Sequence, residues 1–199
     1  MKRSLGVFVT AVGLALVPIS ASAHLVSTGL GPIYDGISHL ALTPEQILPM
    51  AALALFAGLR GPLHARRVLL VLPVAWLTGC LAAITRSADC PPIVSGLVLL
   101  ALGTLLAADA KVSPRVTTTI AIMLGLVFGS CYGTPFGTDA ARLPGAVGAA
   151  GLAFVLVALV SSVSLPLRGT SAQIAVRVAG SWTAALGLLL VGWWVHRRP

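Results

Sequence analysis

Long stretches of this chain carry no charge. "GAVGAAGLAFVLVALVSSVSLPL", residues 145–167, is one of several apolar runs separated only by short proline, glycine and arginine punctuation. A backbone in such surroundings finds no water, so its amides must bond within their own segment, which a helix allows. Of the 199 residues 57% are hydrophobic and 9% are charged, too few charges to cover a water-facing surface. The expected fold class is all-α, a polytopic bundle of membrane helices in a lipid bilayer.

The formal net charge of +8 would suit nucleic acid if the arginines formed a stripe interleaved with aromatic residues. They stand singly or in pairs at the ends of apolar segments instead, where arginine orients a span and snorkels to the headgroups. No nucleic-acid partner is expected.

Residues 1–23 have the layout of an export signal. Lys2 and Arg3 form a positive start, 5–17 an apolar stretch, Pro18 breaks it, and Ala21-Ser22-Ala23 fits the small-x-small cleavage rule. Cleavage there leaves His24 as the mature amino terminus on the outer, periplasmic side of a bacterial cytoplasmic membrane. Residues 24–43 then form an outer segment with a short helix, and 44–199 a domain of six spans at about 44–60, 66–84, 92–109, 115–132, 144–166 and 174–195. Their alternation puts Arg60, Arg66, Arg67, Lys111, Arg115, Arg168 and Arg177 inside. Arg86, Arg142, Arg197 and Arg198 fall outside, a balance that follows the positive-inside rule. Asp35, Glu45, Asp89 and Asp139 also fall at the outer face, leaving Asp109 as the inner acid.

Local signals refine this outline. "TPEQ" reads as a capping box, with Thr43 as N-cap, Pro44 at the first helical position and Gln46 at the third. Glu45 beside them complements the helix dipole or serves the preceding histidines. "GPIYDGISHLAL" is too short to span and reads as a brief outer helix starting near Pro32. Gly125, Gly129 and Gly133 recur every fourth residue, which lets a neighbouring helix approach closely. Ser161, Ser162 and Ser164 are expected to hydrogen-bond between helices.

Asp35 and His39 stand four residues apart and share a helix face. Such a pair either binds a metal or is a hydrogen-bonded carboxylate and imidazole at the membrane boundary. A processed His24 would add an α-amine and an imidazole that chelate together, and the connector with Gly29 and Gly31 is long enough to bring it back to the short helix. Nitrogen and oxygen donors of this kind suit nickel, cobalt, copper or zinc better than magnesium or calcium.

The His24 start, "GLGPIYDGISHL" and "TPEQILPMAALALFAGLRG" resemble the amino-terminal half of the HupE/UreJ membrane proteins, accessory proteins of hydrogenase and urease systems. The resemblance implies a polytopic protein with a cleaved signal and a nickel or cobalt permease-like role. It also implies that His24, Asp35 and His39 match the family's early histidine and aspartate-histidine signature. It is strongest over residues 24–61 and is mainly architectural beyond.

Cys131, near the outer end of the fourth span, is a soft-ligand candidate or a disulfide partner for Cys90 in an oxidising compartment; Cys80 reads as a small buried apolar residue. His64 and His196 fall on opposite sides, and neither a phosphate loop nor a nucleophile elbow is present, so no enzyme activity is expected. The reading is capture and inward passage of a divalent transition metal, with His24, Asp35, His39, Glu45 and Cys131 as candidate ligands. Its rival is a membrane-bound metal-binding assembly factor or a subunit of a larger complex, possible partners being metalloenzyme maturation proteins; that rival class includes copper-related proteins.

Overall fold

The computed structural model describes residues 28–83, 91–131, 139–167 and 169–197. The export signal, His24, Cys90 and Gly133 lie outside them. Among the described residues there are seven α-helices and no strand: α1 (Pro32–Ala41), α2 (Pro44–Arg60), α3 (Pro62–Ala82), α4 (Pro92–Ala107), α5 (Pro114–Cys131), α6 (Asp139–Ser164) and α7 (Thr170–His196). The first five open on proline. Proline presets the helical φ, and its missing N–H has no partner to lose in a first turn.

Two glycines set the sharpest corners. Gly61 alone separates α2 from α3, at φ 112° and ψ 177°. Gly31, at φ 105° and ψ 168°, precedes α1. A Cβ is not tolerated in that region of backbone space, so both corners depend on glycine.

Four helices are long and apolar enough to cross a membrane: α3, α5, α6 from Ala141, and α7. The pair α1 and α2 qualifies only as one unit, bent by 76°, while α4 is a shorter apolar helix. The sequence expectation of six full-length spans is therefore met in position by six helices, α2 to α7, but in length by four. The reason is local: Pro44 with Gly61 clips α2 to 17 residues, and α4 is 16 residues long.

At the centre lies α2, packed against α1, α3, α4, α5 and α6. Met50, Leu53 and Phe56 of α2 are fully buried together with Val68, Leu72 and Trp76 of α3 and Phe128 of α5. Hydrophobicity does not hold helices together when the solvent is lipid, so close backbone approach has to supply the contact. Glycine does this on four faces. A Cβ on Gly129 of α5 would lie 2.2 Å from the Trp76 carbonyl oxygen of α3, and one on Gly125 2.9 Å from that of Leu72. Gly103 and Gly180 join α4 to α7 in the same way, as do Gly36 and Gly145 for α1 and α6, and Gly58 meets the Ser164 hydroxyl.

Ser161 Oγ donates to the Ala54 carbonyl of α2 at 3.2 Å, the interhelical bond expected of it. Ser162 and Ser164 instead bond within α6, to Leu159 and Ser161 carbonyls. A serine three residues on from a helical carbonyl reaches it without help from a neighbour.

α7 packs almost wholly on α4. Its other faces leave Trp182 and Leu189 about as exposed as side chains in a helix can be, at 70% and 69%. An apolar surface of this extent belongs in a membrane. At its carboxyl end Arg197 stacks over Trp193 at 4.3 Å, an arrangement suited to the headgroup region.

Candidate metal-capture segment at one end of the bundle

The segment entering α1 is turned by Gly29, at φ 73°, and Gly31. That turn brings Thr28 back over the first turn of the helix. The Thr28 N–H and Oγ1–H both donate to Asp35 Oδ1, at 2.5 and 2.7 Å. The Thr28 hydroxyl in turn accepts the Leu30 N–H at 3.2 Å. From Thr28 onward, then, the connector is a fixed turn rather than the slack tether the glycines suggested. Thr28 was not among the sequence-derived candidates; the Thr-x-Gly-x-Gly-Pro spacing before Asp35 is the signal that points to it.

The side-chain and backbone donations from Thr28, in that order, hold the Asp35 carboxyl below its ordinary range. This aspartate sits on α1, a 10-residue helix too short to span. It is a carboxylate at neutral and mildly acidic pH, with Oδ1 occupied and Oδ2 receiving no hydrogen bond among the described residues. An anionic oxygen oriented by its neighbour is what a cation requires. The expected direct bond between Asp35 and His39 is absent among the described residues; the Thr28 amide and hydroxyl take that place because they lie closer to the carboxylate.

His39 is half-buried one turn further along α1. Its position is fixed through the backbone, because Gly36 packs on Gly145 so tightly that a Cβ would lie 2.0 Å from the Gly145 carbonyl oxygen. Gly148 likewise seats against the Ile33 carbonyl at 2.1 Å. The helix bearing Asp35 and His39 is thereby clamped to α6.

The capping box expected at "TPEQ" does not form. Thr43 caps no amide of α2; its hydroxyl donates to the His39 carbonyl at 2.6 Å, closing the end of α1. Two helices compete for one hydroxyl, and the orphan carbonyl of α1 wins. Gln46, freed from the box, turns into the bundle, where its Oε1 is buried without a hydrogen-bond partner. Glu45 is exposed in the first turn of α2, beyond the bend. Asp35, His39 and Glu45 do not form a three-ligand group, and no such group of His, Cys, Asp or Glu exists among the described residues.

Cys131 ends α5 and is disulfide-bonded. In that state its sulfur offers no thiolate, so the soft-ligand role is withdrawn while the bond persists. Cys80 is a free, buried thiol, as its place within an apolar run suggested.

The Asp35 arrangement makes a direct prediction. Thr28→Val removes the stronger of the two donations while keeping the side chain's shape. The Asp35 carboxyl should then titrate at a higher pH than in the parent, toward the ordinary carboxylate value, and metal binding should set in at correspondingly higher pH. Binding isotherms for nickel across acidic pH would register this; an unchanged onset would show that Asp35 takes no part.

A family model described as HupE / UreJ protein matches residues 10–190. Nothing matches among the curated proteins or the solved structures.

Proposed function

The chain belongs to the HupE/UreJ family, and from that premise we propose that it captures a divalent transition metal, nickel or cobalt first, and carries it across the membrane. The family match over nearly the whole chain is the observation that supports this reading most. The resemblance of residues 24–61 to that family's amino-terminal signature links it to nickel. A clamped helix presenting an ionised Asp35 and, one turn on, His39 is a fitting first station for such a cargo.

In this reading a signal ends at Ala23, and His24 joins Asp35 and His39 as the third ligand. All six helices from α2 to α7 cross the bilayer. At ~1.5 Å per residue α2 and α4 extend roughly 25 Å, a little under a hydrocarbon layer of ~30 Å, a mismatch that local thinning and longer neighbours absorb. Arg60, Arg66, Arg67, Lys111, Arg115 and Arg177 cluster at the end opposite α1, which assigns that end to the cytoplasm and α1 to the periplasmic face.

Uptake by sealed vesicles tests the proposal. Vesicles holding the full chain should accumulate radioactive nickel or cobalt faster than empty ones, and Asp35→Asn should slow that accumulation. Binding without accumulation would overturn transport in favour of a membrane-bound metal-holding subunit.

A further inference from the structure

At the end of the bundle opposite α1, Asp109 stands in a place that opposes it three times over. It is the sole non-glycine residue with positive φ, 48°, among the described residues. The position is the one after a helix end where glycine is the usual occupant: the Asp109 N–H donates to the Leu106 carbonyl at 3.1 Å and the Ala110 N–H to that of Leu105 at 3.0 Å. Its carboxylate also faces the negative end of α4. Nothing in the local sequence favours an acid here.

What does favour it comes from 49 residues away. Arg60, the last residue of α2, forms an ion pair through Nη2 with Asp109 Oδ1. The arginine side chain is only 11% exposed, with its guanidinium 5.3 Å from the Phe56 ring centre, whereas Asp109 is 52% exposed. Arg60 Nε is buried without an acceptor, so the arginine is committed to the interior by its neighbours and incompletely satisfied there. Beside the pair opens a cavity of about 350 Å³ lined by Gly58, Arg60, Asp109, Leu165, Leu167 and Gln173. The carboxyl ends of α2, α4 and α6 converge on this region. Helix carboxyl ends carry partial negative charge, so the cavity favours a cation. Arg177 already answers one of those ends, its Nε donating to the Ala107 carbonyl at 3.0 Å.

We propose that Arg60 and Asp109 form the inner gate of the metal path, and that Asp109 is the last carboxylate the ion meets. A divalent cation reaching the cavity takes the half-exposed Asp109 from Arg60. Losing that pair unties α2 from the turn after α4 and opens the cavity to the cytoplasm. This rests on the transport reading above, but its central claim, that the pair closes the cavity and a cation opens it, has its own readout.

The test places a cysteine at Leu59, a cavity-lining residue, in the full-length protein and follows its reaction with an impermeant maleimide from the cytoplasmic side, above the parent's background. Asp109→Asn and Arg60→Gln should each raise the labelling rate about three- to ten-fold, the scale of one partly exposed ion pair. Nickel should raise it in the parent pair and leave it unchanged in Asp109→Asn. The double exchange Arg60→Asp with Asp109→Arg should restore slow labelling; if it does not fold, as judged by elution in detergent, the two single variants decide. Equal rates in parent and single variants, with or without nickel, would overturn the gate. Nickel uptake measured alongside separates the two proposals: uptake with unresponsive labelling rejects the gate alone, and responsive labelling without uptake rejects transport alone.

Discussion

Replacing His39 with alanine should weaken nickel binding by about ten- to a hundred-fold, at least the loss seen when a supporting group is taken from a metal site. The expectation follows from how the site is held. Asp35 is oriented by Thr28 and α1 is pinned to α6 through Gly36 and Gly148, so the missing imidazole has no mobile neighbour to replace it. Retaining Ala23 ahead of His24 should have an effect of similar size, because the free amine would then be one residue away from the imidazole it chelates with. Calorimetry with nickel, cobalt, copper and zinc on purified protein reads both variants. Parental affinity for every metal in both would remove His24, Asp35 and His39 from the site together. A loss in His39→Ala alone would leave α1 as the site without the terminal amine.

Gly103→Leu should detach α7 from the rest of the bundle. A Cβ at Gly103 would already lie 2.3 Å from the Ala184 nitrogen, and the opposite face repeats the contact, with Gly180 on the Ala107 nitrogen at 2.6 Å and Gly187 on Leu100 at 2.4 Å. The obstacle is backbone, which cannot rotate aside as a side chain would. Overpacking costs about 1–3 kcal/mol even where side chains yield, and a leucine driven into two helix backbones lies at or above the upper end. Because α7 has α4 as nearly its entire support, that loss falls on one interface. Proteolysis of the segment between α6 and α7 should accelerate in the variant, and the thermal transition in detergent should fall. Gly192→Leu is the matched control: nothing lies within 4 Å of a Cβ there, and both measurements should stay at the parental value. Equal behaviour of the two variants would show that the glycine seam does not hold α7.

The metal-capture segment was legible in part. Asp35 and His39 share a face of a short helix beginning at Pro32, as their spacing required, because helical periodicity is a property of consecutive residues. The partner of Asp35 was not legible, since a carboxylate bonds to whichever donor the chain path brings nearest, and the path is set by two glycine dihedrals. Thr43 failed the same way: its sequence offers α2 a cap, and the bend at α1 offers it a better acceptor. The three-ligand arrangement itself depends on His24, which lies outside the described residues.

By itself the sequence determined the helical class, the lipid-facing character and the starts of the helices. Uncharged runs force internal hydrogen bonding, and a proline at a first turn fixes φ within the residue it occupies, so both effects are complete within a few positions. Only the tertiary structure decided which glycines face which backbones, where Gln46 turns, that Cys131 is bonded, and that Asp109 answers Arg60. Those outcomes rest on contacts between residues tens of positions apart. In lipid such contacts are chosen by how closely two backbones can approach and which polar groups meet there, and no short run of residues records either.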